Sequence, residues 1–88
     1  MSSSPVEKPP LAVRVSVTSD ALVVQLKDGR TVSAPLTWFP RLANGSSHER
    51  NQWELIGSGI GIHWPELDED LSIEGIRAGR YGQRAQLP

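Results

Sequence analysis

Between Gly57 and Asp70 the chain reads GSGIGIHWPELDED, and this stretch holds most of the residue types that could do chemistry. Glycines at 57, 59 and 61 lead into His63, followed by Glu66, Asp68, Glu69 and Asp70. Phosphate cradling is the first chemistry to weigh. A dinucleotide fingerprint needs glycines at relative positions one, three and six, between a strand and a helix, so that the backbone can approach a pyrophosphate. Counted from Gly57 the sixth position is Ile62, and from Gly59 it is Trp64. No lysine followed by Ser or Thr completes a P-loop, and the residues after the glycines alternate as a strand does. A hairpin turn is the better reading of GSG.

Cation binding by His63 with Glu66, Asp68, Glu69 and Asp70 has suitable donor atoms but lacks the calcium-loop pattern, which needs a glycine at the turn and a closing glutamate. The acids read instead as a solvated approach to a helix N-terminus, where negative charge is favoured. Nucleophilic catalysis has less behind it. Ser58 lies between two glycines at the wrong spacing for a nucleophile elbow. The two histidines, His48 and His63, come with no evident orienting acid and oxyanion hole. No catalytic residue, metal or cofactor is expected, and the chain is read as a non-enzyme.

Trp38, Phe39, Trp53 and Trp64 remain. Each large aromatic side chain buries on the order of 150–250 Å², so the core is their default place. A domain this small is hard pressed to bury three indoles, and tryptophan is enriched at binding hot spots. The candidate interaction surface is therefore Trp38, Phe39, Trp53, His63, Trp64, Asp68 and Asp70. Arg77, Arg80 and Arg84, with Arg41 and Arg50, are the candidate phosphate contacts of an alternative reading, a nucleic-acid-associated regulator.

Composition narrows the field. The chain has 88 residues, 22% of them charged, and a net charge of −1. That balance argues against broad attraction to nucleic acid. There is no cysteine, which excludes disulfides, thiolate metal sites and cysteine nucleophiles. No basic start with an apolar run suggests a secretory signal and no run of 18 apolar residues suggests a membrane span, so the cytoplasm is the expected compartment. Residues 1–10, MSSSPVEKPP, are expected as a disordered tail and residues 80–88 as a flexible one, leaving a single domain over 11–79. Domains of this size bury only about 60% of the surface their unfolded chain exposes, so a partner or a second copy, as in a homodimer, would add stability.

The elements that position these residues emerge from period and turn chemistry. AVRVSVT alternates with Val13, Val15 and Val17 on one face, ALVVQLK does so with Leu22, Val24 and Leu26, and the alternation resumes from Arg30 to Ala34. Asp28-Gly29 between the last two runs signals a hairpin with a type I′ turn. Thr37 is placed to cap a short helix through Trp38 to Leu42. Ser46 and Glu49 have capping-box spacing for a second, polar helix. Trp53 to Ile56 and Ile60 to Trp64 form a further hairpin around GSG, with Ile60, Ile62 and Trp64 on one face. Ser72 caps a final helix, Ile73 to Ala78, which Gly79 stops. The predicted fold is α+β: a three-stranded antiparallel meander, short helices, a second small β-hairpin and a C-terminal helix.

The segments LKDGR, APLTWFPRL and QWELIGSGIGIHWPELDEDLSIEGI together resemble the small prokaryotic family called domain of unknown function 2442. The W-P-x-L-D-x-D-x-S segment of that family corresponds to Trp64, Pro65, Leu67, Asp68, Asp70 and Ser72. The resemblance covers about Val13 to Gly79 and implies a small α+β domain, with no catalytic residues to carry over. It also implies a protein encoded beside members of domain of unknown function 4160, an arrangement similar to a toxin–antitoxin pair. Longer relatives carry a helix-turn-helix domain for which this chain has no room. The expected function is an interaction protein, the antitoxin-like partner of a small protein encoded by a neighbouring gene.

Overall fold

The computed structural model describes residues 10–81. Most of both expected tails, residues 1–9 and 82–88 with Arg84 among them, lies outside the described residues. The element order is β1 (Ala12–Val17), β2 (Ala21–Leu26), β3 (Thr31–Pro35), a 3₁₀ turn (Leu36–Trp38), α1 (Pro40–Ala43), α2 (Ser47–Arg50), β4 (Glu54–Ile56), β5 (Gly61–Trp64), β6 (Glu69–Ser72) and α3 (Ile73–Arg77). The strands form two three-stranded antiparallel sheets, β1-β2-β3 and β4-β5-β6. The α+β class and the first meander are as expected. The second hairpin, however, gains a third strand. PELD is a turn and EDLS is β6, which pairs with β5 from Gly61↔Ser72 to Trp64↔Glu69. The run of acids conceals this strand, because Asp and Glu are depleted in strands and only Leu71 is buried within it.

Three local readings change as well. Val13 does not share the buried face with Val15. The register shifts between Ala12 and Arg14, so Val13 is the extra residue of a bulge and is 53% exposed, while Ala12 is buried. The Asp28-Gly29 hairpin closes by a three-residue loop, with Gly29 N–H donating to Leu26 O and Leu26 N–H to Arg30 O. A type I′ turn needs positive φ at both central residues, and only Gly29 has it, at 96°. The Asp28 carboxylate accepts from the Arg30 backbone N–H and Nε. Thr37 caps nothing: it lies inside the 3₁₀ turn, and Phe39 occupies the cap position of α1 without a side-chain bond.

The caps at Ser46 and Ser72 are formed as expected. Ser46 Oγ accepts from Glu49 N–H while Glu49 Oε1 accepts from Ser46 N–H, and Ser72 Oγ accepts from Gly75 N–H. Gly79, at φ 74°, comes just after α3. Tyr81, which falls beyond the expected domain boundary, packs into the domain: its ring lies 5.4 Å from that of Phe39 and its hydroxyl accepts from Ser72 N–H.

One core joins the two sheets. Leu22, Val24 and Leu26 from β2 meet Phe39 and Leu42 from the helical connection, and Ile62, Trp64 and Leu71 from the second sheet. The sheets are also stitched through the backbone. Ala12 N–H, at the start of β1, donates to Gly59 O, in the turn between β4 and β5, at 2.8 Å. Gly59 has φ 114°, and a Cβ there would stand 2.4 Å from Ala12 O. Glycine is required at this junction both by conformation and by space.

Candidate functional site

The second sheet has a buried face and an open one, and pairing decides which side chain lies where. Leu55, Ile62 and Leu71 are opposite one another across β4, β5 and β6 and turn inward. The alternate rows turn outward: Glu54–His63–Asp70, and beside it Ile56–Gly61–Ser72. A strand's period of two thus places His63 between two carboxylates on one surface.

His63 Nδ1 and Asp70 Oδ1 are hydrogen-bonded. The Asp70 carboxylate holds the His63 pKa above its ordinary value of 6.5, partial burial opposes this, and the charges of Asp70, Glu54 and Asp68 add to the rise. A raised histidine pKa contributes stability in full below the unfolded value, and the contribution is lost as pH rises through the folded value. Stability is therefore expected to fall on raising pH from below 6.5 to above the folded pKa. Asp70→Asn should lower that pKa and flatten the dependence. An NMR titration of the imidazole with urea melts across that range checks both, and an unchanged His63 pKa in the variant would refute the assignment to Asp70.

The acids that sequence places around His63 do not converge. Asp70 engages His63, Glu66 stands 3.7 Å from His48, and Asp68, at φ 53°, offers its backbone oxygen to Arg41 Nη1 with its carboxylate 3.6 Å away. Among the described residues no three histidine or acidic side chains gather where one ion could be held.

The tryptophans are placed differently from the expected interaction surface. Trp64 is fully buried and Phe39 is 1% exposed, so neither can meet a partner. Trp64 is held by its indole N–H, which donates to Arg50 O at 3.0 Å. A domain of this size can bury an indole whole when its single polar atom finds a backbone acceptor. Trp38 and Trp53 are half-buried and pack against the core. The candidate arginines are mostly committed as well. Arg41 bonds Asp68, Arg50 donates to the α1 carbonyls of Leu42 and Ala43, and Arg77 pairs with Glu74. Arg80 is exposed. No observation of the site favours the nucleic-acid reading.

The exposed apolar groups of this sheet are instead Ile56 and Ile60, at 39% and 50% exposure. The expected phase of Ile60 with Ile62 and Trp64 does not hold. Ile60 falls in the turn, because Gly59 N–H and Ile60 N–H both donate to Ile56 O and the strand begins only at Gly61. With Ile56, Leu71, Ser72 and Tyr81, Ile60 surrounds a shallow cleft of about 350 Å³ over Gly61. The alternation of Ile56 with inward Leu55 is a sequence signal for one of these two residues. Nothing in the sequence marks Ile60, since its exposure depends on the length of the turn.

Among the described residues no helix is long and apolar enough to cross a membrane. No curated protein matches the chain. A solved structure does: a protein of unknown function from Rhodospirillum rubrum ATCC 11170 is 31% identical to this chain, with 92% of this chain and 100% of that one covered at a TM-score of 0.75. The sequence profile of the family described as protein of unknown function (DUF2442) matches residues 12–82, a span that includes both sheets, α3 and Tyr81. The chain belongs to the domain of unknown function 2442 family.

Proposed function

We propose that this chain is a non-enzymatic interaction protein, and that its partner is a small protein encoded by a neighbouring gene, in an antitoxin-like arrangement. The observation that carries the reading is the open face of the second sheet, where Ile56 and Ile60 stay exposed together beside a cleft, whereas Val13 is exposed singly at its bulge. Exposed apolar groups gathered at one concave place mark interaction sites more often than scattered ones do. The arrangement of neighbouring genes that the family resemblance implies supports a small protein as the occupant.

Co-expression of the chain with the adjacent gene's product should yield a complex that co-purifies through size exclusion. Ile60→Asp should weaken it by about tenfold or more while leaving the circular dichroism spectrum and urea midpoint close to wild type, because Ile60, half exposed, contributes little to the core. Two separate elution peaks for the wild-type pair would defeat the proposal.

A further inference from the structure

The chemistry of the cleft narrows what could fill it. β5 is the central strand of its sheet, and Gly61 is the one position of its outward row pair without a side chain. The gap lies between Ile56 on β4 and Ser72 on β6, with Ile60 and Tyr81 as further walls. The Tyr81 wall is tied down by the bond from Ser72 N–H to its hydroxyl. The two isoleucines and the Tyr81 ring make the lining mainly apolar, with Leu71 contributing its backbone, and the volume suits a side chain rather than a segment of chain. The rim is anionic. Asp70 lines the cleft with its carboxylate on His63, and Glu54 lies across His63 in the same outward row, so two carboxylates flank one imidazole at the rim.

We propose that the cleft over Gly61 receives one large apolar side chain of a partner protein, and that a Lys or Arg flanking that side chain meets Asp70 and Glu54. The inference rests on the interaction reading above and deepens it by naming the partner's chemistry: a basic segment with an aliphatic or aromatic knob. Apolar walls reward the knob, and rim carboxylates select its neighbours by charge, which gives specificity more than affinity. A second copy of the chain is the less suitable occupant, since its own exposed isoleucines are bordered by carboxylates and would bring like charges together.

The test uses the full chain, labelled with ¹⁵N, and three synthetic nine-residue peptides: a central leucine flanked by lysines, the same leucine flanked by glutamates, and a central alanine flanked by lysines. The leucine–lysine peptide should shift the amides of Ile60, Gly61, Asp70 and Ser72, and bind about tenfold more tightly than either control, in line with one well-filled anchor. Ile60→Asp and Gly61→Ala should each weaken it by about that factor, and Asp70→Asn should erase the preference for lysine over glutamate flanks. A Cβ at Gly61 would sit 3.1 Å from Leu71 O and 3.2 Å from Ile56 Cδ1, so Ile60→Asp, at an exposed position, stands in should the alanine variant misfold.

Absence of shifts at millimolar peptide, shifts mapping elsewhere, or equal affinity for the glutamate-flanked peptide would overturn the proposal. So would a concentration-dependent dimer that Ile60→Asp dissociates, which would assign the cleft to a second copy. Peptide binding here without a complex with the neighbouring gene's product would sink the partner named above and sustain the cleft. A complex with that product whose footprint avoids the cleft would do the reverse.

Discussion

Trp64→Ala should cost about 3–5 kcal/mol of folding stability, the range for removing a buried aromatic side chain. The ring is fully buried at the centre of the cluster that joins both sheets, so the void would open where neither sheet can relax alone. Domains have about 5–15 kcal/mol in total, and small ones lie low in that range, so the variant should be largely unfolded under conditions in which the wild type folds. Trp64→Phe separates the two contributions. It keeps most of the apolar volume but leaves the Arg50 carbonyl without the indole N–H, for a loss of about 1–3 kcal/mol. Urea unfolding followed by circular dichroism measures both. A loss below about 1 kcal/mol for the alanine variant would mean that Trp64 does not organise this core.

The second large effect is expected at the junction between the sheets. Gly59→Ala forces an L side chain to φ 114° and places its Cβ against Ala12 O and N, at 2.4 and 2.9 Å. Strained backbone costs on the order of 1–3 kcal/mol and overpacking about as much again, so a combined loss of about 2–5 kcal/mol is expected. Gly29→Ala is the matched control. Its φ is 96°, but no atom lies within 4 Å of the added carbon, so it should cost only the conformational part, about 1–2 kcal/mol. Thermal or urea midpoints of the two variants, compared side by side, isolate the Ala12 contact. Equal losses would show that the close approach of Gly59 to β1 does not hold the sheets together.

The two glycine variants also mark the line between what sequence discloses and what it hides. Local chemistry is legible: alternation marks β2 and β3, Ser46 with Glu49 and Ser72 as an N-cap mark helix starts, and GSG marks a turn. Features set by partners distant in the chain are not. Val13 leaves the core because the β1–β2 register slips by one residue, and no periodicity in AVRVSV announces that slip. β6 escapes detection because Leu71 alone supplies an inward apolar signal: Asp70 lies in the outward row, and Glu69, paired with Trp64, puts an acid in the inward phase.

The candidate site divides in the same way. His63 and Asp70 both stand out in the sequence, but their adjacency comes from a β5–β6 pairing that the spacing does not foretell. Trp64 and Phe39 enter the expected surface only on a count of aromatic residues against domain size. The Arg50 carbonyl that accepts the indole N–H lies 14 residues earlier, and such an acceptor cannot be read from spacing. Ile60 fits a strand pattern that puts it on one face with Ile62 and Trp64, whereas the outward place of Ile56 is legible from its alternation with Leu55. The exposure of the two isoleucines arises from where the turn ends and from Gly61 holding the middle of the sheet open.

Calorimetric titration of the purified chain with the purified product of the neighbouring gene tests most directly whether the open face of the second sheet binds another protein. Ile56→Asp and Ile60→Asp are run in parallel. The expected result is saturable binding by the wild type, weakened by about tenfold or more (roughly 1.4 kcal/mol) in each variant, with the variants' urea midpoints little changed. Saturable binding that neither aspartate disturbs would place the interface elsewhere, and no heat of binding at any concentration would contradict the interaction reading outright.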